Sequence, residues 1–161
     1  MQPYDQAYKD VEKIFLRYGP MLYRVAVVML GNCHDAEDMV QDVLIRYMEH
    51  KKDFRDETHE KAWLIRVTVN LCKTRLLFTR KHPQIELSEL TAYSRNEEEG
   101  HLMEGLLKLS QTYRTVLLLY YVMGYSIRET AQILYTTESA VKKRLERGRK
   151  KFREIMEQEG V

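Results

Sequence analysis

Apolar residues recur at helical spacing along most of the chain. Phe15, Leu16, Tyr18, Leu22, Tyr23, Ala26, Val27 and Leu30 fall three and four apart, which predicts a helix in a first block starting near Tyr4. Gly31 follows the last of them and is expected to stop the helix as a left-handed cap. A second helix is predicted from about Asp35 to His50, with Ala36, Met39, Val40, Val43, Leu44 and Tyr47 as its inner stripe. Its other face is acidic and amide: Glu37, Asp38, Gln41 and Asp42. Lys51 to Thr58 is polar apart from Phe54 and reads as a loop. Thr58 is expected to cap a third helix, which runs to about Phe78 through Trp63, Leu64, Val67, Leu71 and Leu76. A block of this size is a minimal helical domain.

The pattern changes from Lys81 to Gly100. Pro83 breaks helix, and Asn96 to Gly100 is acidic and poor in apolar residues, so this stretch reads as a flexible linker with at most a short turn around Leu87 and Leu90. Twenty extended residues reach about 70 Å, more than one turn of DNA, roughly 34–36 Å. A second block starts near His101. Leu102, Leu106, Leu107 and Leu109 mark a short helix, and Tyr113 to Met123 a richly apolar, buried one closed by Gly124. Ser126-Ile127-Arg128-Glu129 has the spacing of a capping box, opening a helix from Ile127 to Leu134. Tyr135-Thr136-Thr137 makes a turn, and Thr137 can cap a last helix from Glu138 to about Met156. That helix carries Val141, Leu145, Phe152 and Ile155 inward, with Gly148 on the seam. The expected fold is all-α: two small helical domains, 1–80 and 101–161, joined by a linker at 81–100.

Composition narrows the function. The 161 residues carry a net charge of only +2, but the charge is uneven. Residues 1–80 hold 13 basic and 12 acidic side chains, 81–100 hold 2 and 5, and 101–161 hold 11 and 7. Lys142 to Arg153 alone holds eight basic residues against Glu146, the electrostatic footprint of a polyanion-binding helix. The longest apolar run, Val116 to Met123, is too short to span a bilayer, and Met1 to Asp10 has no signal-peptide core. The expected location is the cytoplasm, where Cys33 and Cys72 are free thiols. His34 beside Cys33 has no second ligand at metal spacing, so no metal and no cofactor is expected. Asp35, Glu37, Asp38 and Asp42 have no accompanying nucleophile-base pair, and no Gly-rich phosphate loop exists; no catalysis is expected.

A short helix, a tight turn and a basic helix together form a helix-turn-helix. Small Ala131 suits the close crossing. Early residues of the second helix face base edges: here Glu138, Ser139, Lys142 and Lys143. Arg128, Arg144, Arg147 and Arg149 suit phosphates or packing. Tyr135 opens the turn, where a bulky residue in a left-handed conformation is strained.

Two stretches resemble a known family. Gly31 to Leu44, GNCHDAEDMVQDVL, and Lys61 to Asn70, KAWLIRVTVN, are similar to the DAED and AWL helices of sigma-70-type bacterial RNA polymerase sigma factors of the small extracytoplasmic-function (ECF) group. Tyr113 to Leu119, Gly124 to Ala131 and Ala140 to Arg149 resemble the family's second domain, in the same order and spacing. The resemblance implies a non-enzymatic promoter-recognition factor. It implies that Asp35, Glu37, Asp38, Gln41 and Asp42 dock on the β′ coiled coil of core RNA polymerase. It implies that Lys51, Lys52, Phe54, Arg55, Arg66, Asn70 and Lys73 bind the promoter −10 element as melted strand. It further implies that Arg128, Glu138, Ser139, Lys142, Lys143 and Arg147 read the −35 element as duplex, that the second domain touches the β flap, and that an anti-sigma factor is a partner. A stand-alone helix-turn-helix regulator of duplex DNA is the alternative. A helical module serving only a protein partner is a third reading.

Overall fold

The computed structural model describes residues 3–50, 53–79 and 94–160, and the regular structure among them is entirely helical. Helix α1 spans Pro3–Leu30, α2 Cys33–Glu49 and α3 Glu57–Thr79. These three pack on one another as the first bundle. Helices α4 (Glu97–Leu107), α5 (Gln111–Leu117), α6 (Ile127–Ile133) and α7 (Glu138–Gln158) form the second. Pro83, Leu87 and Leu90 lie outside the described residues.

Helix α1 ends where expected: Gly31 has φ 65° and its N–H donates to the Val27 carbonyl at 2.7 Å. Most of the face the spacing indicated is buried, with Tyr18, Leu22, Ala26, Val27 and Leu30 all inside, and it departs from expectation in its first half. Phe15 and Leu16 are exposed, while Ile14, Met21 and an unbroken run from Val25 to Leu30 are buried. The continuous run is explained by partners on several sides, since α1 meets α2, α3, α4 and α5. Helix α2 keeps the predicted stripe, with Ala36, Met39, Val40, Val43 and Tyr47 buried, and Asn32 caps it by accepting from Asp35 N at 2.9 Å.

Helix α3 departs from expectation in two ways. Its cap is Asp56, whose Oδ1 accepts from His59 N at 2.8 Å, in place of Thr58. Its buried set is Leu64, Ile65, Thr68, Val69 and Cys72, and Trp63, Val67 and Leu71 are only half-buried. Apolar side chains surround this helix, so spacing alone selects no face. Helix α4 starts inside the stretch read as linker: Asn96 accepts from Glu99 N at 2.8 Å, and Glu97, Glu98 and Glu99 sit at the positive end of the helix dipole.

Helix α5 opens at Ser110 without a side-chain cap bond. It continues as a π turn over Leu118–Val122, with Met123 N donating to the Leu118 carbonyl at 2.9 Å. Gly124, at φ 75°, then turns the chain, and Tyr125 N bonds back to the Leu119 carbonyl at 3.0 Å. Both bonds of the Ser126–Glu129 capping box form, at 2.8 and 3.1 Å, and Thr137 caps α7 through Ala140 N at 3.1 Å. Tyr135 has φ 51°, so the turn between α6 and α7 does hold a tyrosine in the left-handed region. Gly148 lets α7 approach α5: a Cβ there would lie 3.3 Å from Tyr113 Cβ and 3.4 Å from Leu117.

Candidate functional site

Four surfaces carry the chemistry. The first is the outer face of α2. Glu37, Gln41 and Asp42 are exposed, and Asp35 and Asp38 are half-buried. Arg75, reaching from α3, bonds Asp35 at 2.9 Å and lies 3.6 Å from Asp38. The patch therefore has an ordered, partly neutralised end near the start of α2 and an open acidic end near Asp42. A basic protein surface complements the open end.

The second surface is the loop before α3 and the groove beside it. Lys51 and Lys52 lie outside the described residues. Phe54 is half-buried in a cluster of rings: Tyr47 stacks on it at 6.2 Å, Trp63 meets it edge-on at 5.7 Å, and His59 at 5.4 Å. His50 lies 4.6 Å from Trp63. The cluster is tied down by Tyr47 Oη, which donates to Glu60 at 2.9 Å; burial and that bond push the tyrosine hydroxyl well above its usual range. Arg55 is exposed, and its N–H donates to His59 Nδ1 at 3.1 Å. Asn70 lines a groove with Trp63, His50, Arg46 and Thr74. Flat rings next to cations are what unstacked bases bind. His50 and His59 escaped the sequence reading, because neither sits at a spacing that signals a ring cluster.

The third surface is the helix-turn-helix. Ser139, Lys142, Lys143 and Arg147 are exposed on α7, opposite the buried Val141, Leu145 and Gly148. Arg128 and Glu138 are also exposed, but they line a cleft of about 640 Å³ shared with Gln132, Tyr135, Thr136 and, from α3, Arg66. Arg66 is thus turned toward the second bundle, and its buried Nε has no hydrogen-bond partner. Burial pushes the neighbouring Tyr125 hydroxyl up to about 12, and the positive charge of Arg66 opposes that shift. Lys73 is half-buried on α3.

The fourth surface is an apolar groove of about 540 Å³ between α4, α5 and α7, lined by Leu102, Leu106, Leu117, Tyr121, Val122, Phe152 and Met156. Tyr121 is 52% exposed and its Oη accepts from Arg149 Nη1 at 2.8 Å, so Arg149 packs along this groove. Spacing along the chain does not reveal it, since the π turn sets the direction of Tyr121 and Val122. Among the described helices, none is long and apolar enough to cross a membrane.

Residues 14–81 match the sigma-70 region 2 family model, and residues 101–152 match the sigma-70 region 4 model. The chain is 32% identical to the ECF RNA polymerase sigma factor SigW of Bacillus subtilis (strain 168), over 91% of this chain and 87% of the relative. It is 26% identical to the ECF RNA polymerase sigma factor SigM of Mycobacterium tuberculosis (strain H37Rv), over 90% of this chain and 76% of that one. In fold it resembles the sigma factor RpoE of Bartonella quintana, solved with the anti-sigma factor NepR, with a TM-score of 0.71 at 21% identity over 92% of this chain and 98% of that one. It also resembles CnrH, solved with the cytosolic domain of CnrY, with a TM-score of 0.68 at 24% identity over 96% and 94% of the two chains. Regions 2 and 4 follow one another over most of the chain, and with the ECF relatives they show that the chain belongs to the ECF group of sigma-70 sigma factors, which recognise promoters and direct transcription initiation.

Proposed function

We propose that the chain divides this work among its surfaces, with the bundle of α1 to α3 and the bundle of α4 to α7 acting as two tethered domains, the second opening at Glu97. Residues Glu37, Gln41 and Asp42 dock on a basic surface of core polymerase, the β′ coiled coil, while Arg75 holds Asp35 and Asp38 at the edge of the contact. Phe54 and Arg55, with Lys51, Lys52, Arg66, Asn70 and Lys73, engage the −10 element as an opened strand, where stacking and cations supply affinity. Arg128, Glu138, Ser139, Lys142, Lys143 and Arg147 engage the −35 element as duplex. The groove around Tyr121 receives an apolar segment of the β flap. An anti-sigma factor is a further partner, by analogy with the Bartonella quintana protein solved with NepR. The chain itself catalyses nothing and works in the cytoplasm.

The single observation that best supports this reading is the opposite charge of two helix faces in one chain: acidic on α2, basic on α7. DNA repels the first and attracts the second, so the two faces need different partners. The test is in vitro transcription of a genomic fragment library by purified core polymerase with and without the protein. New 5′ ends preceded by two spaced elements are expected. No new starts, together with duplex binding in gel shifts, would make the chain a stand-alone regulator.

A further inference from the structure

The contact that joins the two bundles is chemically distinctive. Arg114, on α5, is only 5% exposed. Its Nη2 donates to the carbonyl of Met29 at 2.7 Å, and its Nη1 to the carbonyl of Leu107 at 3.4 Å. Met29 lies in the last turn of α1, and Leu107 closes α4. The last four carbonyls of a helix have no partner inside it, and that end carries the negative pole of the dipole. One guanidinium therefore caps two helix ends, one in each bundle. No carboxylate among the described residues offsets its burial, which pushes its pKa down.

The rest of the seam follows from this placement. Arg24 of α1 lies 3.9 Å from Glu99 of α4, and Val28 lines the same depression as Leu102, Leu106 and Leu118. With the bundles so held, Arg66 and Arg128 line a single cleft. Glu138 lines it too, so side chains assigned to separate promoter elements share one space in the closed chain.

We propose that Arg114 is an interdomain clasp: it holds the free chain closed, with side chains for the −10 and −35 elements facing each other, and it releases the Met29 carbonyl before both elements are engaged. The DNA half of this statement rests on the function proposed above; the clasp itself does not. The device is reversible for a physical reason. Opening breaks charged hydrogen bonds but returns a buried cation to water, so the net hold is the small difference between two large quantities.

Small-angle X-ray scattering from the free full-length chain reads the clasp without DNA or polymerase. Arg114→Met keeps much of the side chain's apolar bulk and removes the donors; its maximum dimension should grow relative to the parent. Binding of a fluorescent mixed-sequence 30-base-pair duplex probe at low salt should tighten by roughly tenfold, the equivalent of one charged hydrogen bond lost from the closed state. Arg114→Lys, which has one head and cannot serve both carbonyls, should fall between. Start-site choice by the polymerase-bound protein should not change, because the domains are then already apart. If Arg114→Met does not fold, Arg114→Lys carries the test, because it keeps the charge and gives up one of the two carbonyls. Unchanged scattering from folded Arg114→Met, or from Arg114→Lys where the first does not fold, overturns the clasp and leaves the promoter assignment standing. Opened scattering without tighter DNA binding overturns the occlusion half of the proposal.

Discussion

Cys72 illustrates how one buried residue sets a pH limit. Burial pushes its thiol up to about 12 from a usual 9.0, with nearby Arg75 opposing weakly. The folded chain keeps this proton more tightly than the unfolded one. Stability is therefore untouched below about pH 9 and falls as pH rises from there toward 12, by about 1 kcal/mol already at pH 10. Urea titrations at pH 7.5 and pH 10 should show that loss, and Cys72→Ala should remove the thiol's share, leaving the part contributed by the raised hydroxyls of Tyr47 and Tyr125. If the pH-dependent loss were the same in both proteins, the thiol would not be its source. Function at this scale divides by charge. Lys142→Ala with Lys143→Ala should weaken −35-dependent transcription and lower the salt slope of duplex binding by about 2, while core affinity holds. Gln41→Arg with Asp42→Arg should do the reverse, lowering core affinity at least about tenfold by repulsion. Both positions are exposed, unlike Asp35, where substitution would also release Arg75. Equal core affinity in the Gln41/Asp42 variant would move the docking face elsewhere.

Among the helices, the legible ones were those with one buried side. Helix α2 and helix α7 alternate polar and apolar positions cleanly, so their inner stripes and outward faces could be read from spacing, as could the Thr137 cap of α7 but not the Asn32 cap of α2. Helix α3 packs on two neighbours, and its inner face could not be read because apolar residues lie all round it. The start of α4 was hidden for another reason: its first turn is wholly acidic, and only the Asn96 cap distinguishes it from linker. The ring cluster around Phe54 and the cap on Met29 join residues far apart in sequence, which no local pattern encodes. Gly148 carries the element-scale prediction. On the α5–α7 crossing a Cβ at this position already meets Tyr113 at 3.3 Å and Leu117 at 3.4 Å, so Gly148→Val, with two further methyls, should cost about 2 kcal/mol through overpacking, read as a lower urea midpoint. An unchanged midpoint would mean that the two helices can slide apart at no cost.

At the scale of the molecule, the two bundles share one apolar core from Ile14 to Leu145, with the acidic face of α2 and the basic face of α7 left for other molecules. The same chain must be closed when alone and extended when its two ends engage separate elements. The π turn at Leu118–Val122 bears on how the second bundle keeps its alignment. An α-helix advances about 100° per residue, so one added or lost residue normally swings everything beyond it around the axis. A π turn accommodates a supernumerary residue by widening, leaving the segments on either side in phase. Helix α5 thus holds a spare position just ahead of the recognition unit. Removing Val122 should let the turn tighten and leave α6 and α7 aimed as before, whereas removing Glu146 should rotate the rest of α7 off its seam. The measurement is duplex binding by the two deletion variants. Retention in the first and loss in the second would mean that this domain tolerates length change at one place in its longest apolar helix, and equal loss in both would mean that the wide turn is rigid.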